Sequence, residues 1–342
     1  MRRSLLIPAL GAAFLLAGLA QGQTVGTDET PAPEEPTTVE VEYAPEDGAV
    51  YDITERTTRI STVGDADPVT DVRERASELV IAESEGEDED EDGYMNRMTI
   101  VSESLSRNGN AIPSPLFPAL AGLELVYEVA SDGSLTAITG HEGLTAAIAS
   151  IFPDKLAGTL DALLNHDALR QQDARRYSEV HGPYIGASVT LVENEASAAS
   201  QMLPSGGSMP VYTLTTITQD EEEGTLTVKR VHSSDAEALA EGVDTVTEDD
   251  LLDLSEDLEE DLPTAHASAA VSGMEETTVE TSGALVTSRT VEMRYEHTPR
   301  QPPGTDTFTN SLDVTEVYTA VKRPPPDPVP EETSMPEETP AP

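Results

Sequence analysis

The chain of 342 residues carries 65 acidic side chains against 19 basic ones, a formal charge of −46 at neutral pH, and no cysteine. That balance excludes nucleic acid as a partner, because phosphate backbones are bound through lysine and arginine, and the missing thiols exclude disulfides, thiolate metal ligands and a lipid-anchored cysteine. Hydrophobic residues still make up 37% of the chain, enough for a core, so the acid excess, with lysine only at Lys155, Lys229 and Lys322, reads as adaptation to brine, where screening weakens self-repulsion.

At the start, Arg2 and Arg3 precede an apolar run from Leu5 to Ala20, broken by Pro8, Gly11 and Gly18. The run is shorter than the roughly 20 residues that span a bilayer and ends in small residues. Residues 1–20 therefore read as a signal peptide, and the mature chain as exported, periplasmic or extracellular. The arginine pair leaves the general and the twin-arginine export routes both open. Residues 21–48 and 323–342 are rich in Pro, Glu and Thr and share the pentapeptide Glu-Thr-Pro-Ala-Pro, at Glu29 to Pro33 and again at Glu338 to Pro342. Both are expected to be disordered, solvated acidic segments.

Residues 49–322 form the expected domain, and period-two alternation dominates it. Leu123, Leu125, Tyr127 and Val129 alternate with Glu124 and Glu128, and Val291, Met293 and Tyr295 with Glu292, Arg294 and Glu296. Such patterns mark strands with one dry and one wet face, as in antiparallel sheets. Turn residues fall between them, at Ser131-Asp132-Gly133, at Asp220 to Gly224 and at Ser282-Gly283. A helical insert at 141–177 interrupts the strands: Leu144, Ala147, Ile148, Ile151 and Phe152 recur at helical spacing, then Leu156, Leu160, Leu163 and Leu164, with a third helix from Asp167 to Tyr177. A further helix starts at Thr247, capped with Asp250 three residues on, and places Leu251, Leu254, Leu258 and Leu262 on one stripe before Pro263.

The succession from Tyr51 to Gly64, the paired strands around an acidic loop, the stretch Leu120 to Tyr127 running through Asp132-Gly133 into helix, and the late strand Ser288 to Met293 resemble an uncharacterised family of exported, β-rich bacterial proteins. The resemblance spans Ala49 to Val321. It implies an α+β, β-rich fold, a curved antiparallel sheet or half-barrel with a small helical insert over one face, similar to periplasmic carrier lipoproteins that hold lipid. This chain lacks the anchoring cysteine of such lipoproteins, and the family brings no residue roles.

One stretch imitates a chemical device. In Gly86 to Tyr94, Asp88, Asp90, Asp92 and Gly93 match the first, third, fifth and sixth positions of a calcium loop, but the twelfth, where a bidentate glutamate should close the site, is Thr99. The flanks Leu79 to Ile81 and Met98 to Val101 suit a hairpin, so the run is expected to be a solvated hairpin tip, with Ca2+ held by Asp88, Asp90 and Asp92 as the only metal alternative. Six scattered histidines give no zinc spacing, no nucleophile elbow is present, and Ser205 to Ser208 sits in a loop. The expectation is therefore a non-enzymatic envelope protein that binds an apolar small molecule or an envelope partner. Its alternatives are a calcium-bridged cell-surface protein and a hydrolase. The absence of Trp and the presence of only four Phe argue against a sugar-binding aromatic platform.

Overall fold

The computed structural model describes residues 37–84, 93–151, 166–202, 208–241, 243, 245–255, 258, 266–301, 305 and 307–324. After a short strand β1 (Thr38–Val41), a first antiparallel meander runs through β2 (Val50–Val63), β3 (Val69–Ser84), β4 (Gly93–Arg107), β6 (Glu124–Ala130) and β7 (Leu135–Thr139), with the two-residue β5 (Asn110–Ala111) beside β4. Following β8 (Ala187–Thr190), a second meander runs through β9 (Val192–Met202), β10 (Ser208–Asp220), β11 (Thr225–Ser233), β12 (His266–Glu280), β13 (Leu285–Pro299) and β14 (Asn310–Lys322). The last strand lies beside the first long one, Tyr51 opposite Lys322 and Val63 opposite Asn310, which joins the meanders into a 12-stranded sheet with β7 and β9 at its edges. The result is the curved, open, β-rich sheet that the alternation and the resemblance imply.

Local chemistry explains the pieces. In β6, Leu125, Tyr127 and Val129 are buried while Glu124 and Glu128 are exposed. The turn after it closes through an Asp132 carboxylate oxygen that accepts from the Ser134 N–H at 2.8 Å. Gly133 sits there at φ +83°, and a Cβ on it would stand 1.9 Å from Ile185, so only glycine lets the turn lie under the chain that follows the helical insert. The turns between β10 and β11 and between β12 and β13 fall where Asp220 to Gly224 and Ser282-Gly283 place them.

Curvature follows from the inner face. Met209 and Val211 of β10 share a core cluster with Val271 of β12, Met293 of β13 and Val314 of β14. At about 4.8 Å per strand, four steps would hold β10 and β14 nearly 20 Å apart in a flat sheet. Gln201 of β9 also comes close to Tyr295 of β13, so this half curls back on itself. Bulges at Val101 in β4, opposite Ala76/Ser77, and at Thr287 in β13, opposite Thr278/Val279, bend the strands further. Gly273 removes a side chain that would strike the carbonyl of Glu292 at 2.2 Å and Met293 on the neighbouring strand.

Five helices are described. α1 (Leu116–Leu120) follows β5, and α2 (His141–Ile151) with α3 (His166–Val180) forms the expected insert. α4 (Ala236–Ala240) and α5 (Glu248–Ser255) cover the outer face of β10, where Leu239 and Leu251 pack with Tyr212 and Leu214. The capping box at the start of α5 is realised: the Thr247 N–H donates to the Asp250 carboxylate at 2.9 Å, and the Asp250 N–H donates to the Thr247 hydroxyl at 3.2 Å.

Three expectations are corrected. Residues 37–48 are not part of a disordered linker: β1 pairs with β8, Val41 is 1% exposed, and Val39 and Tyr43 are buried in the same core. Their alternation with Glu40 and Glu42 carries the strand despite the surrounding Pro, Glu and Thr. The leucine stripe of α5 also breaks, because the helix ends at Ser255 and Leu254 is 46% exposed, leaving Leu251 as its fully buried anchor. Finally, the expected C-terminal tail begins with an ordered residue: Arg323 reaches back to Asp52 and Glu78. Leu156, Leu160, Leu163, Leu164 and Leu262, and the repeated pentapeptides, lie outside the described residues.

Candidate functional site

Register decides which side chains share the concave face. Tyr51, Ile53 and Glu55 of β2 stand opposite Leu79, Ser77 and Arg75 of β3, and opposite Lys322, Ala320 and Tyr318 of β14. The row continues through Arg289 of β13, opposite Tyr318, then Thr277 of β12 and Val228 of β11. One end of this face is sealed by the β1 and β8 ribbon together with α3, over a core that includes Leu125, Tyr127, Val228, Val279 and Val286.

Beneath α3 the seal is incomplete and leaves a cavity of about 80 Å³. Its floor includes Ile53, Leu79, Met98, Leu285 and Tyr318, and its roof Tyr177, Val180 and His181. Tyr177 lies over Tyr127 with ring centroids 5.9 Å apart and planes inclined by 24°, and His181 sits between Tyr177 at 5.2 Å and Tyr318 at 6.4 Å. Burial pushes the phenols of Tyr127, Tyr177 and Tyr318 well above their ordinary range, so they stay neutral. Burial, reinforced by the Arg176 guanidinium, pushes the His181 imidazole down to about 4, so it too is uncharged at neutral pH.

Charged groups line the same cavity. Arg176 of α3 pairs with Glu55 of the floor, and the Asp173 carboxylate of α3 accepts from His141 Nε2 at 2.7 Å, which ties α3 to the start of α2. Asn96 donates through Nδ2 to the Tyr43 hydroxyl at 2.9 Å. Three buried polar atoms in the wall have no hydrogen-bond partner among the described residues: Arg75 Nε, Asn96 Oδ1 and His181 Nδ1.

A second charged group lies further across the concave face. Glu275 of β12 is 6% exposed and accepts from Arg289 Nε at 2.9 Å and from Arg230 Nη1 at 3.4 Å. Burial alone would raise its carboxyl, but the two guanidinium groups outweigh burial and hold it below its ordinary value. Beside it His232, whose Nδ1 lies 2.9 Å from the Thr213 hydroxyl, is pushed down by burial against the pull of Glu275.

The sequence-based candidates fare differently. Asp88, Asp90 and Asp92 lie outside the described residues; β3 and β4 flank them as antiparallel partners, Ser84 opposite Gly93, as a hairpin requires. Among the described residues no three His, Asp or Glu side chains converge as a metal site, and no helix is long and apolar enough to cross a membrane. The cavity residues Arg75, Asn96, Tyr177 and His181 were not singled out by the sequence. A signal for Arg75 existed in the alternation Arg73, Arg75, Ser77, Leu79, Ile81, which places two arginines on the dry side of a strand.

No protein-family model matches the chain, and no curated protein sequence does. Among solved structures, that of lipovitellin, titled for its lipid–protein interactions, aligns with 83% of this chain at 8% identity and a TM-score of 0.38; the chain spans about a quarter of lipovitellin's length, 26%. DynF of the dynemicin biosynthesis pathway of Micromonospora chersina aligns with 86% of this chain and 92% of its own at 7% identity and a TM-score of 0.16. An outer membrane channel of Pseudomonas putida F1 aligns with 85% of this chain and all (100%) of its own at 6% identity and a TM-score of 0.17. Scores this low carry no argument about function.

Proposed function

We propose that the protein is an exported, salt-adapted, non-catalytic envelope protein that binds an apolar ligand in the cleft between α3 and the concave face of its sheet. The observation that carries this reading is the cavity under α3, with a floor of Ile53, Leu79, Met98 and Leu285 and a roof of Tyr177 and Val180. Export rests on Arg2, Arg3 and the apolar run from Leu5 to Ala20, and salt adaptation on 65 acids against 19 bases.

As it stands the cavity falls short of the several hundred Å³ expected of a ligand site; its 80 Å³ would hold two or three water molecules. A larger molecule requires α3 to lift. Its sequence, His-Asp-Ala-Leu-Arg-Gln-Gln-Asp-Ala-Arg-Arg-Tyr-Ser-Glu-Val, is mostly polar, and Ala174, Tyr177 and Val180 supply its described apolar contacts with the core. Local opening of such a segment, below the global unfolding free energy, is what this reading requires.

The test is a titration of the mature chain with the neutral fluorophore N-phenyl-1-naphthylamine in molar NaCl. A saturable, one-site enhancement is expected, lost in Leu79→Trp or Met98→Trp, which fill the cleft, while circular dichroism stays native. Non-saturable enhancement, or equal binding by folded filled variants, would overturn the reading.

A further inference from the structure

The concave face holds an arginine that has no acid partner among the described residues. Arg75 is flanked across the strands by Glu55 on β2 and Glu103 on β4. Each is taken by another arginine: Glu55 by Arg176 of α3, and Glu103 by Arg73, whose Nη2 lies 2.6 Å away. Arg75 makes no ion pair among the described residues, and its Nε is buried in the cavity wall without an acceptor. A guanidinium cannot shed its proton to escape that position, and a buried donor without an acceptor is unfavourable. In a chain with 65 acids, so isolated a cation is a feature to be explained.

The cleft around it is polar at the ends and apolar between them. Asn96, whose Oδ1 is the unpartnered acceptor, stands opposite Ile81, six residues along β3 from Arg75. At about 3.3 Å per residue the two backbone positions are about 20 Å apart. Between them the floor is Leu79 with Ile53 and Met98 on the adjacent strands. Arg75 offers a planar fork of donors of the shape a carboxylate accepts. The nearby Glu55 and Asp173 carboxylates disfavour a dianion such as phosphate.

We propose that the ligand is an aliphatic monocarboxylate, its acid group held by Arg75 at one end of the cleft and its apolar chain lying along Leu79, Ile53 and Met98 under α3. This rests on the binding reading above and specifies the class of molecule.

The test uses the full mature chain in molar NaCl at pH 8, with octanoate and its neutral counterpart octanol competing against bound N-phenyl-1-naphthylamine. Octanoate is expected to compete at least about ten-fold better than octanol, the margin of one charge-assisted pair in a partly buried site. Arg75→Met erases that margin and leaves octanol unchanged; Arg75→Gln, equally uncharged, serves if Arg75→Met does not fold. Equal competition in the unaltered protein, or a margin that survives loss of Arg75, overturns carboxylate recognition while the apolar cleft stands. If the fluorophore binds and neither competitor displaces it, carboxylate recognition falls. If the fluorophore itself fails to bind in one saturable site, the binding reading falls with it.

Discussion

Two arginine sites on one concave face are built oppositely. Across β11, β12 and β13, Arg230 and Arg289 close on a single buried carboxylate, Glu275, and each charge has its partner. Across β2, β3 and β4 the pairing is shifted, so that Arg176 and Arg73 take the two acids and Arg75 is left over. The first arrangement looks inward and stabilises the sheet against its own burial of charge. The second leaves Arg75 without an ion pair among the described residues where the sheet meets a cavity, the arrangement the proposed ligand would complete.

The largest effect expected on this contrast is at Glu275. Glu275→Gln leaves two half-buried guanidinium groups facing each other and should destabilise the protein by about 3 kcal/mol in urea melts, even in molar salt, because breaking a buried pair strands a charge. A loss well under 1 kcal/mol would show that water already screens the cluster and would dissolve the contrast.

Next is His181. Its imidazole is neutral when folded, down at about 4, and takes up a proton near its ordinary value when unfolded. The unfolded chain therefore binds more protons between about pH 6.5 and 4, so its contribution is full above that window and is lost as pH falls through it, worth about 2 kcal/mol after allowance for partial exposure. His181→Gln should flatten that part of the stability profile, read from melts at pH 7 and pH 5 against the parent.

Arg75→Met should move stability the other way from Glu275→Gln, raising it by up to about 1 kcal/mol in the ligand-free chain, since an unpaired cation leaves the wall. A drop of comparable size would make Arg75 a structural residue like Arg230. The smallest effect is expected at Arg323, whose contacts with Asp52 and Glu78 lie on the exposed outer face: Arg323→Ala should leave the midpoint of unfolding in molar salt unchanged.

How much of this was legible in the sequence follows the range of the interactions. Leu125, Tyr127 and Val129 declared their strand because alternation is local, and Thr247 with Asp250 declared a helix start because a capping box closes within four residues. β1 was hidden because Pro, Glu and Thr around it outweighed the short alternation of Val39, Val41 and Tyr43, whose burial depends on β8 some 150 residues later. α4 was missed although Asp235, which accepts from the Ala238 N–H at 3.1 Å, is a cap visible in the sequence. The isolation of Arg75 was beyond reach: its strand face could be read, but that Glu55 belongs to Arg176 and Glu103 to Arg73 is known only once register and the roof helix are fixed.

The seam between β2 and β14 has a consequence for how the molecule is assembled. Each meander can zip up by local hairpins, but the seam between them waits for residues 310–322, the last strand among the described residues. Until that strand pairs, β2 offers a long naked edge, and the two half-sheets meet only through the β1 and β8 ribbon and the core beneath it. The seam pairs the first and last long strands of the sheet, a non-local closure of the kind that slows folding.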